Sequence, residues 1–252
     1  MRKLLACLLL IAGPALGQDT VWVVGELDAT KIYSTGPTYN YGSSTSISIK
    51  NNLERRALVK FTAIEDSIGT GQNIIEWIVR IHSLTLVSGG YVGVYETLKP
   101  WFEGTSSGAA ENGATCYDEW YYHTDDGTDS LWQSGGADST SDTRPQNRAD
   151  GTDADRRATA MDSVDVNASD SYFNLNVDTA LANAWYNGTK SNFGVILIQQ
   201  NDYVDIALGS DDITVDSQKV RIGVIYESLS ASSVGVEGSV IFERAVTIEG
   251  AP

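Results

Sequence analysis

The segment 101–132 concentrates the side chains best suited to recognition chemistry. It holds Trp101, Trp120 and Trp132 with Tyr117, Tyr121 and Tyr122, set among short polar residues. Its apolar residues keep neither the 3.6-residue period of an amphipathic helix nor the alternation of a strand, so it reads as an ordered loop held by its own rings. Flat rings beside short polar groups suit sugars, whose C–H faces pack on a ring while their hydroxyls hydrogen-bond. The same rings could instead plug the core beneath the loop. Trp101, Trp120, Tyr121 and Trp132 are the candidates in this segment. Tyr39 and Tyr41 add an aromatic pair flanking Asn40 in a loop marked by Gly36-Pro37, where one ring can face solvent and the other inward.

Basic residues supply the complement to an acidic sugar. Arg55, Arg56 and Arg144 each offer a planar fork that meets a uronate carboxylate with two parallel hydrogen bonds. Arg55 and Lys60 fall on opposite faces of any strand through them, whereas Arg56, Leu58 and Lys60 share one. That shared face reads either as a solvated strand face or as a basic stripe. Trp77, within an apolar run, and Trp185, with Leu181, read as core.

Metal binding is a second candidate chemistry. Asp150-Gly151-Thr152-Asp153-Ala154-Asp155 spaces carboxylates as a calcium loop does, with the glycine permitting a tight turn, and Asp125-Asp126-Gly127-Thr128-Asp129 offers a similar set. Neither ends in the glutamate that completes an EF-hand. The expectation is a structural Ca2+ held by Asp150, Asp153 and Asp155 or by Asp125 and Asp129, with plain solvated turns as the other reading. No other cofactor is expected. Catalysis finds less support. Gly104-Thr105-Ser106-Ser107-Gly108 spells a nucleophile elbow but lacks the strand before and the helix after it. With two histidines, His82 and His123, and Cys116 as the one cysteine after residue 17, no zinc set can be drawn. Paired carboxylates decide nothing in a chain with 33 acidic residues. The chain is expected not to be an enzyme.

The elements that must position these residues are strands. Runs at 20–24, 46–50, 57–62, 76–87, 91–97, 172–177, 193–199, 204–208 and 220–226 carry β-branched or aromatic residues with partial alternation, separated by Gly, Asn, Ser and Asp clusters. One short helix follows Asp178, which can cap it; Leu181, Ala182 and Trp185 share a face, and Asn187-Gly188 ends it. Many short strands and 24 glycines argue for an all-β fold, a β-sandwich or jelly roll with one short helix and a long irregular middle loop. That middle loop includes 134–155, which contains no Val, Ile, Leu or Met.

Compartment and partners follow from the ends and the charge. Arg2 and Lys3 precede an apolar run over 4–12, and Ala15-Leu16-Gly17 is a small-x-small cleavage site, so 1–17 reads as a secretory signal peptide. A formal net charge of −16 disfavours nucleic acid and anionic lipid, because the phosphate attraction would be reversed. No apolar run reaches the length of a membrane helix, so no membrane insertion is expected. Cys116 has no cysteine partner after the leader and reads as a buried small hydrophobe. Residues 18–227 form the expected domain. In the remaining 228–252, a small linker precedes an alternating stretch over 234–249 that looks like one or two more strands.

Several short motifs, in order, resemble a known family. They are Ser34-Thr35-Gly36-Pro37-Thr38-Tyr39-Asn40-Tyr41-Gly42, Arg55-Arg56-Ala57-Leu58-Val59-Lys60-Phe61, Trp101-x-Glu103-Gly104, Gly113-Ala114-Thr115, Trp185-x-Asn187-Gly188, Asn192-x-Gly194-Val195 and Gly209-Ser210-Asp211-Asp212, closed by the strand at 220–226. Together they resemble DNRLRE-type domains, also called disaggregatase-related repeats, over about 28–227. Cys116 stands where a tryptophan commonly follows the Gly-Ala-Thr element, and the tail beyond Glu227 lies outside the resemblance. The resemblance implies an extracellular β-sandwich module of a kind often attached to polysaccharide-degrading enzymes, with some related modules binding acidic polysaccharides. Two function classes follow. One is a secreted, non-catalytic binder of cell-surface or matrix polysaccharide. The other is a structural subunit of an extracellular fibre or surface layer, self-associating through 234–249 by strand addition.

Overall fold

The computed structural model describes residues 18–23, 27–50, 55–61, 67–117, 119–121, 130–132, 137, 154–200 and 204–227. Residues 1–17, where a signal peptide is expected, and the tail 228–252 lie outside them, as does most of 134–155. Among the described residues, thirteen strands follow in chain order. They are β1 (Gln18–Val23), β2 (Leu27–Tyr33), β3 (Ser46–Lys50), β4 (Arg55–Phe61), β5 (Asn73–Ser88), β6 (Gly90–Glu96), β7 (Glu119–Tyr121), β8 (Ser130–Leu131), β9 (Asp162–Val166), β10 (Ser171–Val177), β11 (Val195–Gln199), β12 (Asp205–Gly209) and β13 (Arg221–Glu227). An eight-residue α-helix, α1, spans Thr179–Tyr186 between β10 and β11. The chain is all-β, as its strand runs and turn chemistry imply.

Eleven of the described strands form one antiparallel sheet whose hydrogen-bonded path runs β1-β13-β5-β12-β3-β4-β11-β6-β9, with β10 branching off at β5 and β2 at β4. Val79 of β5 pairs with Ile222 of β13 on one edge and Leu175 of β10 on the other, and Val59 of β4 pairs in the same way with Val195 of β11 and Ala29 of β2. Register shifts beside β5, between Ile225 and Tyr226 and again along β12, are bulges that add bend and twist. The sheet accordingly curls into a sandwich-like half-barrel. β7 and β8 pair apart from it.

Alternation fills the space inside the curl. Trp77, Val79 and Ile81 of β5, Ala57, Val59 and Phe61 of β4, Val195 and Leu197 of β11, and Ile222 and Val224 of β13 meet in one core. The helix joins it through Leu181, Ala182 and Trp185, the face read from sequence, and Asp178 caps it by accepting from the N–H groups of Ala180 and Leu181. Trp185 stands edge-on to Trp77 at 6.0 Å, and Trp77 meets Phe61 at 5.9 Å. At the rim of the sheet, Trp22 lies over Gly223, where an added Cβ would sit 2.7 Å from the ring. The Arg80 guanidinium covers Trp22 at 3.8 Å, so the stack fastens edge strand β1 to the sheet.

A second apolar layer lies on the outside of β2, β4 and β11. Ile32, Leu58, Ile196 and Ile198 point away from the first core and are covered by Trp101, Trp132 and Ala137. These strands are therefore buried on both faces. That explains why β2 escapes a reading by alternation: Ala29, Thr30 and Ile32 are all buried, on two faces. β9 escapes it for the opposite reason, being a short, polar edge strand.

Candidate functional site

Asn40 organises the loop that joins β2 to β3. Its backbone N–H donates to the Ala109 carbonyl at 2.9 Å, and its own carbonyl accepts from Gly108 at 2.8 Å. Its Nδ2 donates to the carbonyls of Thr115, at 2.9 Å, and Glu103, while its Oδ1 accepts from the Gly42 N–H at 3.0 Å. With Asn40 buried, its neighbours Tyr39 and Tyr41 are turned to the other side of the locally extended chain. Close backbone approach fixes two glycines. A Cβ on Gly42 would sit 2.3 Å from the Glu103 and Gly104 carbonyl oxygens, and Gly104, at φ +75°, packs against Ala114 and Asn40. The motifs around Asn40, Glu103-Gly104 and Ala114-Thr115 thus meet in one knot, and their work in this fold is structural.

The knot places a cluster of aromatic and basic side chains at the ends of β2 and β4. Tyr33 pairs with Arg55 in register. Arg55 Nη2 donates to Tyr33 Oη at 2.8 Å while its guanidinium carbon lies 4.1 Å from the Tyr33 ring centroid. Tyr41 follows at 6.5 Å from Tyr33, tilted by 53°. Lys31 Nζ stands 5.0 Å over the Tyr41 ring and donates to Ser44 Oγ and the Ser46 carbonyl. Gly36 completes the arrangement, because a Cβ there would meet Tyr39 Cδ2 at 2.8 Å and Tyr41 Oη at 3.1 Å. Tyr39 remains 45% exposed. Hydrogen bonds from Thr35 and Arg55 hold the Tyr33 phenol below its ordinary value. Burial pushes Tyr41 up, and burial together with the Arg55 charge pushes the Lys31 ammonium down.

This cluster brings together Tyr39, Tyr41 and Arg55 from the sequence candidates. It adds Tyr33 and Lys31, which were missed because β2 gave no strand signal. Tyr39 presents an exposed ring beside half-buried Tyr41, while Arg55 and Lys31 lie over the rings of Tyr33 and Tyr41. They can hold an anionic, partly apolar solute, with the rings taking C–H faces and the cations taking carboxylate.

The tryptophan candidates are placed differently. Trp101 is 1% and Trp132 3% exposed, so neither offers a ring face to solvent. Trp101 Nε1 donates to the Phe193 carbonyl at 2.7 Å and Trp132 Nε1 to that of Cys116 at 3.0 Å. They plug the core because Ile32, Leu58 and Ile196 need cover. The Arg56 face is likewise no solvated face and no basic stripe. Arg56 is buried, and Lys60 Nζ pairs with Asp28 at 2.7 Å while lying 4.9 Å over Trp101. Trp120 and Tyr121 stand on β7. Of the calcium candidates, Asp155 is buried and its carbonyl accepts from Leu98 at 2.8 Å. Arg144, Asp125, Asp129, Asp150 and Asp153 lie outside the described residues. Cys116 is buried, as read. Ser106 of the elbow-like pentapeptide serves a turn, its Oγ accepting from Ala109 and its N–H donating to Glu111.

One further group lies beside the knot. Glu103 Oε1 accepts from the Ala29 N–H at 2.7 Å, and its carboxyl feels the negative charges of Asp211, Asp28 and Asp212. Burial, then the Asp211 charge, pushes Glu103 up to about 9, and burial pushes Asp211 up to about 6. A carboxyl raised this far keeps its proton at neutral pH. No protein-family model matches the chain, and no curated protein matches it.

Proposed function

We propose that this chain is a secreted, non-catalytic β-sandwich that binds an acidic polysaccharide of a cell surface or extracellular matrix. The site is Tyr33, Tyr39, Tyr41, Arg55 and Lys31. One observation carries the reading: in a chain of net charge −16, Arg55 and Lys31 sit over the rings of Tyr33 and Tyr41 at one loop. A uronate sugar matches it group for group, with its carboxylate on the guanidinium and its C–H face on a tyrosine. The resemblance to DNRLRE-type domains supports the same reading, and the basic start and small-x-small site before Gln18 support export. Calcium, expected from the spacing at 150–155 and 125–129, would order the middle segment and take no part in binding chemistry.

Affinity electrophoresis tests the proposal. Migration of the full chain is expected to be retarded in gels containing polygalacturonate and not in gels containing a neutral glucan. Equal retardation of the Arg55→Ala variant would sink the assignment.

A second reading has one observation in its favour. β1 pairs with β13 on one side, and among the described residues no strand pairs with its other side. β13 ends at Glu227, and the small linker and then the alternating stretch over 234–249 follow it in the sequence. A tail from a neighbouring copy added along β1 would build a fibre.

A further inference from the structure

Where β1, β13, β5 and β10 run side by side, the outer face of the sheet carries a second group of rings and cations. Arg80 of β5 stands opposite Arg221 of β13 in register. The side chains of such a pair share one face, with Cβ atoms about 5 Å apart, and like charges placed so repel. The chain has 33 acidic residues, yet among the described residues no carboxylate pairs with either arginine. In the adjoining turns, Asp170 is engaged with His82 at 3.2 Å and Asp216 with Lys219 at 3.4 Å. Glu76, on the same face of β5, stands opposite Ile225.

The surrounding contacts hold these groups in place. Arg80 Nε donates to Asn174 Oδ1 at 2.9 Å, and its guanidinium carbon lies 3.8 Å from the Trp22 ring centroid and 5.6 Å from that of Tyr172. Gly223 lets the Trp22 ring lie across β13 to reach it. Arg221 Nη2 donates to the Asp216 carbonyl. Tyr172 Oη donates to the Ser217 carbonyl at 2.6 Å, and its ring meets that of buried His82 edge-on at 4.8 Å. Tyr172 nonetheless stays 48% exposed, and Asn174 beside it is exposed too. The Nη groups of Arg80 and Nη1 of Arg221 donate to none of the described residues.

We propose that Arg80 and Arg221, flanked by Trp22 and Tyr172, form a second binding site, for a tetrahedral oxyanion ester carried on a sugar ring. The pairing of the forks selects the oxyanion. One guanidinium fills a planar carboxylate, whereas a sulfate or phosphate ester has outer oxygens for both. The rings take the C–H face of the sugar that carries the ester, and the Asn174 amide meets its hydroxyls. In the sheet, β12 and β3 separate β5 from β4, so this surface is distinct from the tyrosine–arginine loop and does not depend on the reading given to it.

Calorimetric titration of the full chain carrying Arg55→Ala, which silences the loop site, tests the proposal. The probes are a 6-sulfated galactan hexasaccharide, the same sugar 6-phosphorylated, the unsubstituted sugar and sodium sulfate. At least one ester is expected to bind saturably, at least tenfold tighter than the unsubstituted sugar and than inorganic sulfate. The tighter of the two identifies the ester. Adding Arg221→Gln is expected to weaken that binding at least tenfold. Adding Arg80→Lys, which keeps a cation beside Trp22 but removes the fork, is expected to do the same, so that a loss caused by β1 coming away is told apart. Absence of saturable binding of either ester would overturn the site. Binding that both substitutions leave within twofold would do so as well, and inorganic sulfate bound as tightly as the ester would remove the sugar from the assignment. Galacturonate titration of the wild-type chain reads the loop site separately, so either site can fail while the other stands.

Discussion

Arg55 lies over Tyr33 with its guanidinium carbon 4.1 Å from the ring centroid, and its Nη2 donates to the Tyr33 phenol at 2.8 Å. Both residues come from paired strands in register, so their relation is fixed by the sheet. A guanidinium held in this way has lost most of its rotamer freedom before any ligand arrives, which lowers the entropic cost of binding. The neighbouring loop is less rigidly made. Its tyrosines depend on Asn40 and Gly42 for their positions.

Asn40→Ala is expected to cost on the order of 3 kcal/mol, because it leaves two buried carbonyls and one N–H without partners. For a domain of this size that is a fall in Tm of about 6–12 °C. Thermal unfolding of the variant checks it. A shift below 2 °C would mean that the knot does not depend on this amide.

Trp101→Ala and Trp132→Ala are expected to act on stability, each costing about 3–5 kcal/mol as a filled layer becomes a cavity. Tyr39→Ala and Tyr33→Ala are expected to act on binding, with Tm changed by less than 3 °C. Denaturant melts and polygalacturonate titrations on the same four proteins check the division. Tryptophan variants that fold normally yet lose binding would reverse it.

Stability is expected to fall as pH rises from about 5 to about 9. The folded chain keeps the Glu103 proton where the unfolded chain has lost it, since Glu103 is raised from 4.5 to about 9. A raised carboxyl contributes stability that is full below its unfolded value and lost as pH climbs through its folded one. Melting temperatures across that range should decline, and Glu103→Gln should flatten the slope. An increase in wild-type Tm from pH 5 to pH 9 would contradict the sign.

Removing 228–252 is expected to leave polysaccharide binding within twofold, since the site lies at the ends of β2 and β4. Light scattering on the full and shortened chains, with calcium and with chelator, checks the second reading. If large assemblies of the full chain become monomers on truncation, the tail is an assembly device. A monomer in every condition removes the fibre reading.

Strand content and the helix were legible from the residues. The run at 46–50 coincides with β3, and Asp178, Leu181, Ala182, Trp185 and Gly188 gave the helix its cap, face and end. β2 was not legible, because burial on two faces erases alternation, and Tyr33 and Lys31 went with it. Trp101 and Trp132 carried two readings for a related reason. A ring that covers an outer apolar layer sits among polar residues in sequence, just as a ring that binds sugar does. Only the positions of Ile32, Leu58 and Ile196 across three strands distinguish the two. The Glu103–Asp211 pair, 108 residues apart in the chain, leaves no local signal at all.

Calorimetric titration of the full chain with a galacturonate hexasaccharide tests the central claim most directly, with Arg55→Ala and a neutral glucan hexasaccharide as comparisons. The account predicts saturable binding of the acidic sugar and none of the neutral one. It predicts affinity about tenfold to hundredfold weaker in Arg55→Ala, the loss of a charge-assisted hydrogen bond, with an unchanged melting temperature. Wild-type chain that shows no saturable binding, or Arg55→Ala that binds as tightly as wild type, would contradict it.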